Sequence, residues 1–572
     1  MKVVIIGGVA GGASAAARLR RLDEQAEIII FERSGFISYA NCGLPYYIGG
    51  TIENESDLTL QTPQSFWRRF RIDARVHHEV TAIDRENRTV TVRNLETGAV
   101  FAESYDKLVL SPGAVPVRPK LPGIESARIE TLRTVEDTLR IRETVVGQKL
   151  RSAVVVGGGF IGVEMAENLR ELGLDVRLVE MQPQVLGQFD ADMASFLHAH
   201  LRKHGVELLL GRAVSGFADT ETGVRVQFSD STETETEADL VLLAIGVAPD
   251  SALAREAGLS LGARGSIAVN DRMQTSDPDI YAVGDAVEIF HRVTGQHTTV
   301  PLAGPANKQG RIAADNIAGL ESRYKGAAGT SVLKVFEMTA AATGLSERAA
   351  QAAGVAYDKV ILAPASHASY YPGGTVMTIK LLFSPEDERI LGAQIVGFDG
   401  VDKRIDVLAT AMQAGMPVTA LKDLDLAYAP PYASAKDPVN MAGFIAENVL
   451  SGRVKQFFYE DLAALPTDGS VTLLDTRTDA EYAGGHADGF ATHIPVDDLR
   501  ARIGELDTAK PVYVMCQSGL RSYIACRILA QHGFDCFNFA GGYRFYASVR
   551  HDRFDERCRT DCGAPPAQGT KK

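Results

Sequence analysis

Two cysteines stand in settings where sulfur chemistry is the natural expectation. Cys42 lies in SYANCGLPYY, and five positions further on, where a second thiol would close a short ring, stands Tyr47. Without that thiol, oxidised Cys42 has to be a mixed disulfide with a small thiol, a persulfide or a sulfenic acid. The thiolate is the reactive form, and a helix N-terminus or nearby cations are expected to lower its pKa. A buried inert cysteine is the competing reading. Cys516 opens CQSGLRS, after the apolar run PVYVM and before a helical stretch. A loop of this kind can turn successive backbone N–H groups toward an anion, with Arg521, five positions on, adding a cation. Spacing alone does not separate a sulfur carrier from the arginine loop of a cysteine phosphatase. The other cysteines are 526, 536, 558 and 562. Cys526 and Cys536 are expected to pack under a helix and the next strand. Cys558 and Cys562 alone do not complete a zinc site, so no metal is expected.

Two glycine-rich turns can cradle phosphates. The first, Gly7-Gly8-Val9-Ala10-Gly11-Gly12, follows the strand-like KVVII and precedes a helical stretch, and Glu32 comes twenty residues after Gly12. Backbone N–H groups at such a turn face a pyrophosphate, and a carboxylate at that distance accepts from ribose hydroxyls. Val9 departs from the usual middle glycine. The second, Gly157-Gly158-Gly159-Phe160-Ile161-Gly162, fits without exception, and Glu180 follows eighteen residues later. A carboxylate there favours the free ribose of NADH over the phosphorylated ribose of NADPH. Arg177 belongs to the pleat face opposite Val176 and Leu178, so it need not rescue NADPH.

The elements that must position these residues form a long α/β chain. Its 572 residues exceed one core, about three or four domains being the usual scale. A net charge of −13 argues against nucleic acid or an anionic membrane as partner. No apolar run reaches the ~20 residues that span a bilayer, and Met1 leads straight into a strand, so a cytoplasmic, reducing location is expected. The two glycine turns head two similar strand–turn–helix–strand units. After TSDPDIYAVGDA the chain is expected to return to the first unit. The expected layout is a first nucleotide domain over 1–113 and 250–325, a second over 114–249, an α+β domain over 326–448, a linker over 449–465, a small α/β domain over 466–552 and a polar, disordered tail over 553–572.

Paired dinucleotide sites with TSDPDIYAVGDA resemble the FAD-dependent pyridine nucleotide–disulfide oxidoreductases. SYANCGLPYY and AYAPPYASAKDPVN narrow the resemblance to the coenzyme A–disulfide reductases, which use a single active cysteine. Residues 1 to about 445 carry this resemblance. The remainder resembles a rhodanese domain through CQSGLRS, DTR (Asp475, Arg477), Glu481, GHADGF with His486, and Ile494-Pro495; these upstream marks favour rhodanese over phosphatase. The whole is similar to the coenzyme A–disulfide reductase–rhodanese fusions, also described as NADH-dependent persulfide reductases. The resemblance implies two Rossmann-like domains for FAD and NADH, an α+β dimerisation domain and a rhodanese domain. It implies that Asp285 holds the flavin ribityl chain and that Ser14, Arg18, Arg21, Ser38, Asn41 and Lys436 contact coenzyme A. Arg71, grouped with Arg68 and Arg69, is a further candidate for the coenzyme A phosphates, which suit arginine. Tyr370 and Tyr428 are implied to reach Cys42 from the partner subunit of a homodimer, where a phenol could protonate a leaving thiolate.

The expected activity is NADH-dependent reduction of coenzyme A persulfide, polysulfide or coenzyme A disulfide at Cys42, with Cys516 supplying sulfane sulfur. An alternative is an NADH oxidase or peroxidase cycling through cysteine sulfenic acid, although such relatives carry a histidine where this chain has Ala10. A flavoprotein scaffold serving only the rhodanese domain is a third reading, disfavoured because a scaffold needs neither nucleotide signature.

Overall fold

The computed structural model describes residues 1–229 and 235–554. Cys558 and Cys562, with residues 555–572 of the tail expected over 553–572, lie outside the described residues; residues 553 and 554 end helix Gly542–Phe554. The chain divides into two compact units, one of residues 1–182 and 206–329, the other of 183–205 with the chain from 330 onward.

The first unit holds two parallel five-stranded sheets. One runs Ile280–Ala282, Lys107–Leu110, Lys2–Ile6, Glu27–Phe31, Asp73–Arg75. Its central strands are unbroken apolar runs because both faces are covered. Strand Ile280–Ala282 joins its edge, so the chain after residue 275 returns to the first sheet. Helix Ala303–Ile317 then packs on helix Ala10–Leu22 so closely that a Cβ on Gly310 would sit 2.3 Å from the Gly11 carbonyl oxygen. The other sheet runs Glu207–Leu210, Asp175–Glu180, Ser152–Val156, Leu240–Leu243, Ile129–Thr131. Each has an antiparallel three-stranded companion, His78–Asp84 with Thr89–Asn94 and Val100–Ser104, and Val214–Asp219 with Val224–Phe228 and Glu235–Ala238.

The second unit contains an antiparallel sheet in the order Ser331–Val335, Met338–Gly344, Ile390–Gly397, Thr378–Phe383, Asp358–Leu362. Helices Val401–Gln413 and Pro438–Leu450 share its apolar core. A parallel sheet follows, ordered Lys455–Phe457, Cys536–Phe539, Val512–Met515, Thr472–Asp475, Thr492–His493. Here the structure differs from the expected linker over 449–465: Lys455–Phe457 is an edge strand of this sheet. Alternation around the buried Phe457 lets it seal one flank of the core.

Residues 183–205, expected within the second nucleotide domain, also belong to this unit. Helix Ala191–Lys203 is tied by polar contacts that periodicity does not reveal. Asp190 exchanges two hydrogen bonds with Gln394, at 2.8 and 2.7 Å. Fully buried Lys380 meets Asp190, Asp192 and Glu347, and these carboxylates keep its ammonium charged against the cost of burial. His198 and Arg202 both reach Asp552 on helix Gly542–Phe554, each at 2.7 Å. Among the described residues, no helix is long and apolar enough to cross a membrane.

Candidate active sites

Both glycine turns are built alike. Gly7 and Gly157 take φ of 93° and 109°, and a Cβ on either would lie 2.1 or 2.3 Å from the carbonyl oxygen of Ser111 or Ala244. Only glycine fits such a turn. Gly12 and Gly162 repeat this one turn on, each pressed against the carbonyl of the first glycine. Gly8 N–H donates to Glu32 Oε2 at 2.8 Å, and Gly158 N–H to Glu180 Oε2 at 2.7 Å. The second carboxylate oxygen takes Ser34 N–H in one site and Gln182 N–H in the other. Val9 is accommodated because its φ is −100°, open to any residue. A Cβ on Gly159 would meet nothing within 4 Å, which leaves open space at the N-terminus of helix Phe160–Glu171. These features fit two dinucleotides. Arg177 is bound by the sheet, donating to Glu207 at 2.8 Å and to the Glu237 carbonyl at 3.0 Å. Asp285 follows Gly284, whose N–H donates to Gln309 at 2.7 Å; burial pushes the Asp285 carboxyl up.

Cys42 sits in the turn Asn41–Gly43, ahead of helix Leu44–Gly49. The side chain of Tyr47 is buried beneath the Arg142 guanidinium, 4.5 Å from its ring centre. Cys42, Cys516, Cys526 and Cys536 are all free thiols. The expected lowering of the Cys42 pKa is not found. Desolvation pushes the thiol up, and the negative charges of Glu164 and Asp285 push it further. Glu164, on helix Phe160–Glu171, escaped sequence reasoning because it adjoins Cys42 only through the fold. Burial raises its carboxyl to about 7, against the opposing effect of the Tyr46 hydroxyl, which donates to it at 3.4 Å.

A cavity of about 350 Å³ brings Ser14, Arg18, Arg21 and Ser38 together. It is completed by Gln61, Phe66, Phe70, Asn307 and Arg311, none of them foreseen. Two arginines from one helix and a third from another make it cationic, while the phenylalanines supply an apolar wall. Arg18 is partly engaged, with Nε 2.7 Å from Asp315. Asn41 and Arg71 do not line this cavity. Asn41 accepts from Arg133 at 3.3 Å, and Arg71 ends helix Pro63–Phe70 in a left-handed conformation, its guanidinium over Trp67. In the other unit the hydroxyls of Tyr370 and Tyr428 hydrogen-bond at 2.6 Å on the surface, the residues being 73% and 47% exposed. Lys436 is exposed as well.

Cys516 is fully buried at the end of strand Val512–Met515, and its sulfur accepts from Gly519 N–H at 3.1 Å and Ser522 Oγ at 3.2 Å. Gly519 has φ of 95° and starts helix Leu520–Gln531. The loop rests on helix Gly542–Phe554, where Tyr543 N–H donates to the Cys516 carbonyl at 2.7 Å. Arg521 is held by Glu481 through two contacts of 2.7 Å, and that pairing keeps the Glu481 carboxyl down at about 2. Arg477 is buried against Asp475, with its guanidinium 3.9 Å from the Tyr543 ring centre. Tyr543 also lines a cavity of about 300 Å³ with His486, Asp488, Tyr546, Arg550 and His551. Cys526 and Cys536 lie in the small domain's apolar core.

The chain is similar to known proteins along most of its length. Residues 1–310 match the pyridine nucleotide-disulphide oxidoreductase family, 330–438 its dimerisation domain and 458–548 the rhodanese-like domain. A coenzyme A disulfide reductase of Staphylococcus aureus (strain JH9) is 37% identical over 447 residues, covering 78% of this chain and all of the relative. The crystal structure of the reduced CoADR-RHD of Bacillus anthracis superposes with a TM-score of 0.94 at 47% identity, covering 96% of this chain and 98% of that one. A NAD-dependent persulfide reductase from A. fulgidus gives 0.89 at 37% identity, covering 96% and 100%. The chain therefore belongs to the FAD-dependent pyridine nucleotide–disulphide oxidoreductases, in their coenzyme A–disulfide reductase–rhodanese branch.

Proposed function

We propose that the protein is an NADH-dependent reductase of coenzyme A persulfide, with polysulfide and coenzyme A disulfide as related substrates, and that Cys516 supplies its sulfane sulfur. The observation that carries this reading is the solitary Cys42, with buried Tyr47 where a second thiol would be needed to resolve it internally. Its sulfur partner must then come from outside the chain's own neighbourhood. Attack of the Cys42 thiolate on a coenzyme A persulfide leaves sulfur bonded to Cys42 and releases a thiol or sulfide. Two electrons and two protons return Cys42 to its thiol, and the net reaction converts NADH, a proton and the persulfide to NAD⁺, coenzyme A and hydrogen sulfide. FAD, when bound, supplies the two-electron relay between the nicotinamide and that sulfur.

The chain's own groups have definable roles in this scheme. Gly7, Gly8, Val9, Ala10, Gly11, Gly12, Glu32 and Asp285 would hold FAD. Gly157, Gly159, Gly162 and Glu180 would hold NADH, and the Glu180 carboxylate repels a 2′-phosphate. Ser14, Arg18, Arg21 and Ser38 would bind the coenzyme A phosphates, and Asn41, Arg71 and Lys436 are further candidate contacts. Glu164, half-protonated near neutrality, is suited to hold or pass a proton beside Cys42. The hydrogen-bonded phenols of Tyr370 and Tyr428, presented by the dimerisation domain, would serve the partner subunit's cysteine in a homodimer. Arg521 steadies the Cys516 loop while N–H and hydroxyl donors bear the sulfur's charge. Free thiols in both roles suit a reducing cytoplasm.

Anaerobic NADH oxidation, with coenzyme A persulfide, coenzyme A disulfide, polysulfide and hydrogen peroxide in parallel, tests the reading. Rapid turnover with stoichiometric sulfide release from the persulfide is expected, with NADH preferred to NADPH. Fast peroxide turnover with negligible sulfide would replace it with the sulfenic acid cycle.

A further inference from the structure

Helix Ala191–Lys203 and the residue that ends it, His204, present two histidines four positions apart, His200 and His204, on one face. Across from them, strands Ser331–Val335 and Met338–Gly344 are joined by a two-residue turn, Phe336 and Glu337, with Val335 paired to Met338. Nε2 of His200 and Nε2 of His204 lie 3.3 and 2.9 Å from the same carboxylate oxygen, Glu337 Oε2. One ligand atom from each residue falls within 4.8 Å of the others. Zinc bonded tetrahedrally at about 2.0–2.1 Å to nitrogen and oxygen spaces its ligands about 3.3 Å apart. The cluster is therefore near the size of one face of such a polyhedron, and small side-chain shifts would admit an ion.

The surroundings hold this geometry. His204 stacks on Phe336 with ring centres 3.9 Å apart and planes 7° from parallel. His200 meets Phe398 edge-on at 5.5 Å. Phe336 takes φ of 50°, a conformation that bulky residues rarely adopt in a turn usually filled by asparagine or glycine. That unusual turn supplies both the ring beneath His204 and the carboxylate facing the histidines. His200 is buried whereas Glu337 is exposed, which leaves a solvent side for a fourth ligand.

We infer that His200, His204 and Glu337 form a binding site for a zinc-class divalent cation, completed by water. Two imidazoles and one carboxylate suit zinc, nickel or copper; magnesium and calcium take oxygen ligands. The bound ion ties helix Ala191–Lys203 to the dimerisation-domain hairpin. The same helix grips Asp552 through His198 and Arg202, so the ion braces the antiparallel sheet and the last rhodanese helix through one shared element.

The test titrates zinc, and magnesium as comparator, into the full-length FAD-loaded protein after iodoacetamide has alkylated its thiols. One zinc per chain is expected, with no magnesium binding, and with affinity at least about tenfold weaker in Glu337→Gln and in His204→Gln. Glu337 is exposed, and flavin content together with the metal-free melting midpoint checks that its variant is folded. Zinc should raise the midpoint of the wild type and leave that of Glu337→Gln unmoved. Zinc binding of equal strength in the wild type and both variants, or none in the wild type, overturns the inference.

Discussion

The two sulfur sites solve opposite problems. Cys516 is enclosed by its own loop, and its sulfur already accepts from a backbone N–H and a hydroxyl. Cys42 lies at the surface of its turn, with carboxylates as the charges that act on it and its thiol pushed up. In the proposed scheme the N–H and hydroxyl donors would bear the charge of sulfur stored on the first. The second is prepared to remain protonated until a ligand or cofactor alters its surroundings. Within that scheme, a stable carrier joined to a conditional reductant in one chain would limit wasteful oxidation of NADH.

Breaking the carrier gives the largest contrast. Cys516→Ser should abolish sulfide production from sulfane donors that need the rhodanese loop, a loss of about 10³-fold or more. Turnover of preformed coenzyme A persulfide should stay near wild type, measured as sulfide released per NADH. Equal losses with both substrates would show that the sites are not separable. Next in size is Arg21→Ala, which should raise KM for coenzyme A substrates about tenfold and leave that for inorganic polysulfide unchanged, since a charged hydrogen bond is worth about 1.5–3 kcal/mol.

Glu164→Gln sharpens the comparison through pH. Glu164 ionises near pH 7, and above that its charge opposes formation of the Cys42 thiolate. Removing the carboxylate should shift the alkylation profile of Cys42 by iodoacetamide toward lower pH. The difference from wild type should appear above about pH 7 and fade below it. The smallest effect is expected of Glu481→Gln. A carboxyl depressed to about 2 stabilises the fold above its ordinary value of 4.5, and that contribution is lost as pH falls toward 2. Because the Arg521–Glu481 pair is partly exposed, the variant should lose under about 1 kcal/mol at pH 7, and the gap should close in acid.

Glu32 and Glu180 were legible because a carboxylate closing the second strand of a Rossmann unit falls about twenty residues after its glycine turn. Ser14, Arg18 and Arg21 were legible as one helix face, and all three line one cavity. Asn307 and Arg311 were not, since they come from a helix nearly three hundred residues away. Glu164 was hidden for the same reason, and with it the upward push on Cys42. Helix Ala191–Lys203 fell within the stretch expected to form the second nucleotide domain; Lys380, Gln394 and Asp552, which anchor it within the second unit, are long-range polar partners without a periodic signal. Lys455–Phe457 is too short to stand out as a strand until its neighbour Cys536–Phe539 is in place.

Mass spectrometry of the intact protein, quenched with acid during anaerobic turnover with coenzyme A disulfide and limiting NADH, tests the solitary role of Cys42 most directly. The account predicts one coenzyme A per chain, linked to Cys42 and absent from Cys42→Ser. A disulfide between Cys42 and any other cysteine of the protein, formed and reduced at the rate of turnover, would contradict it.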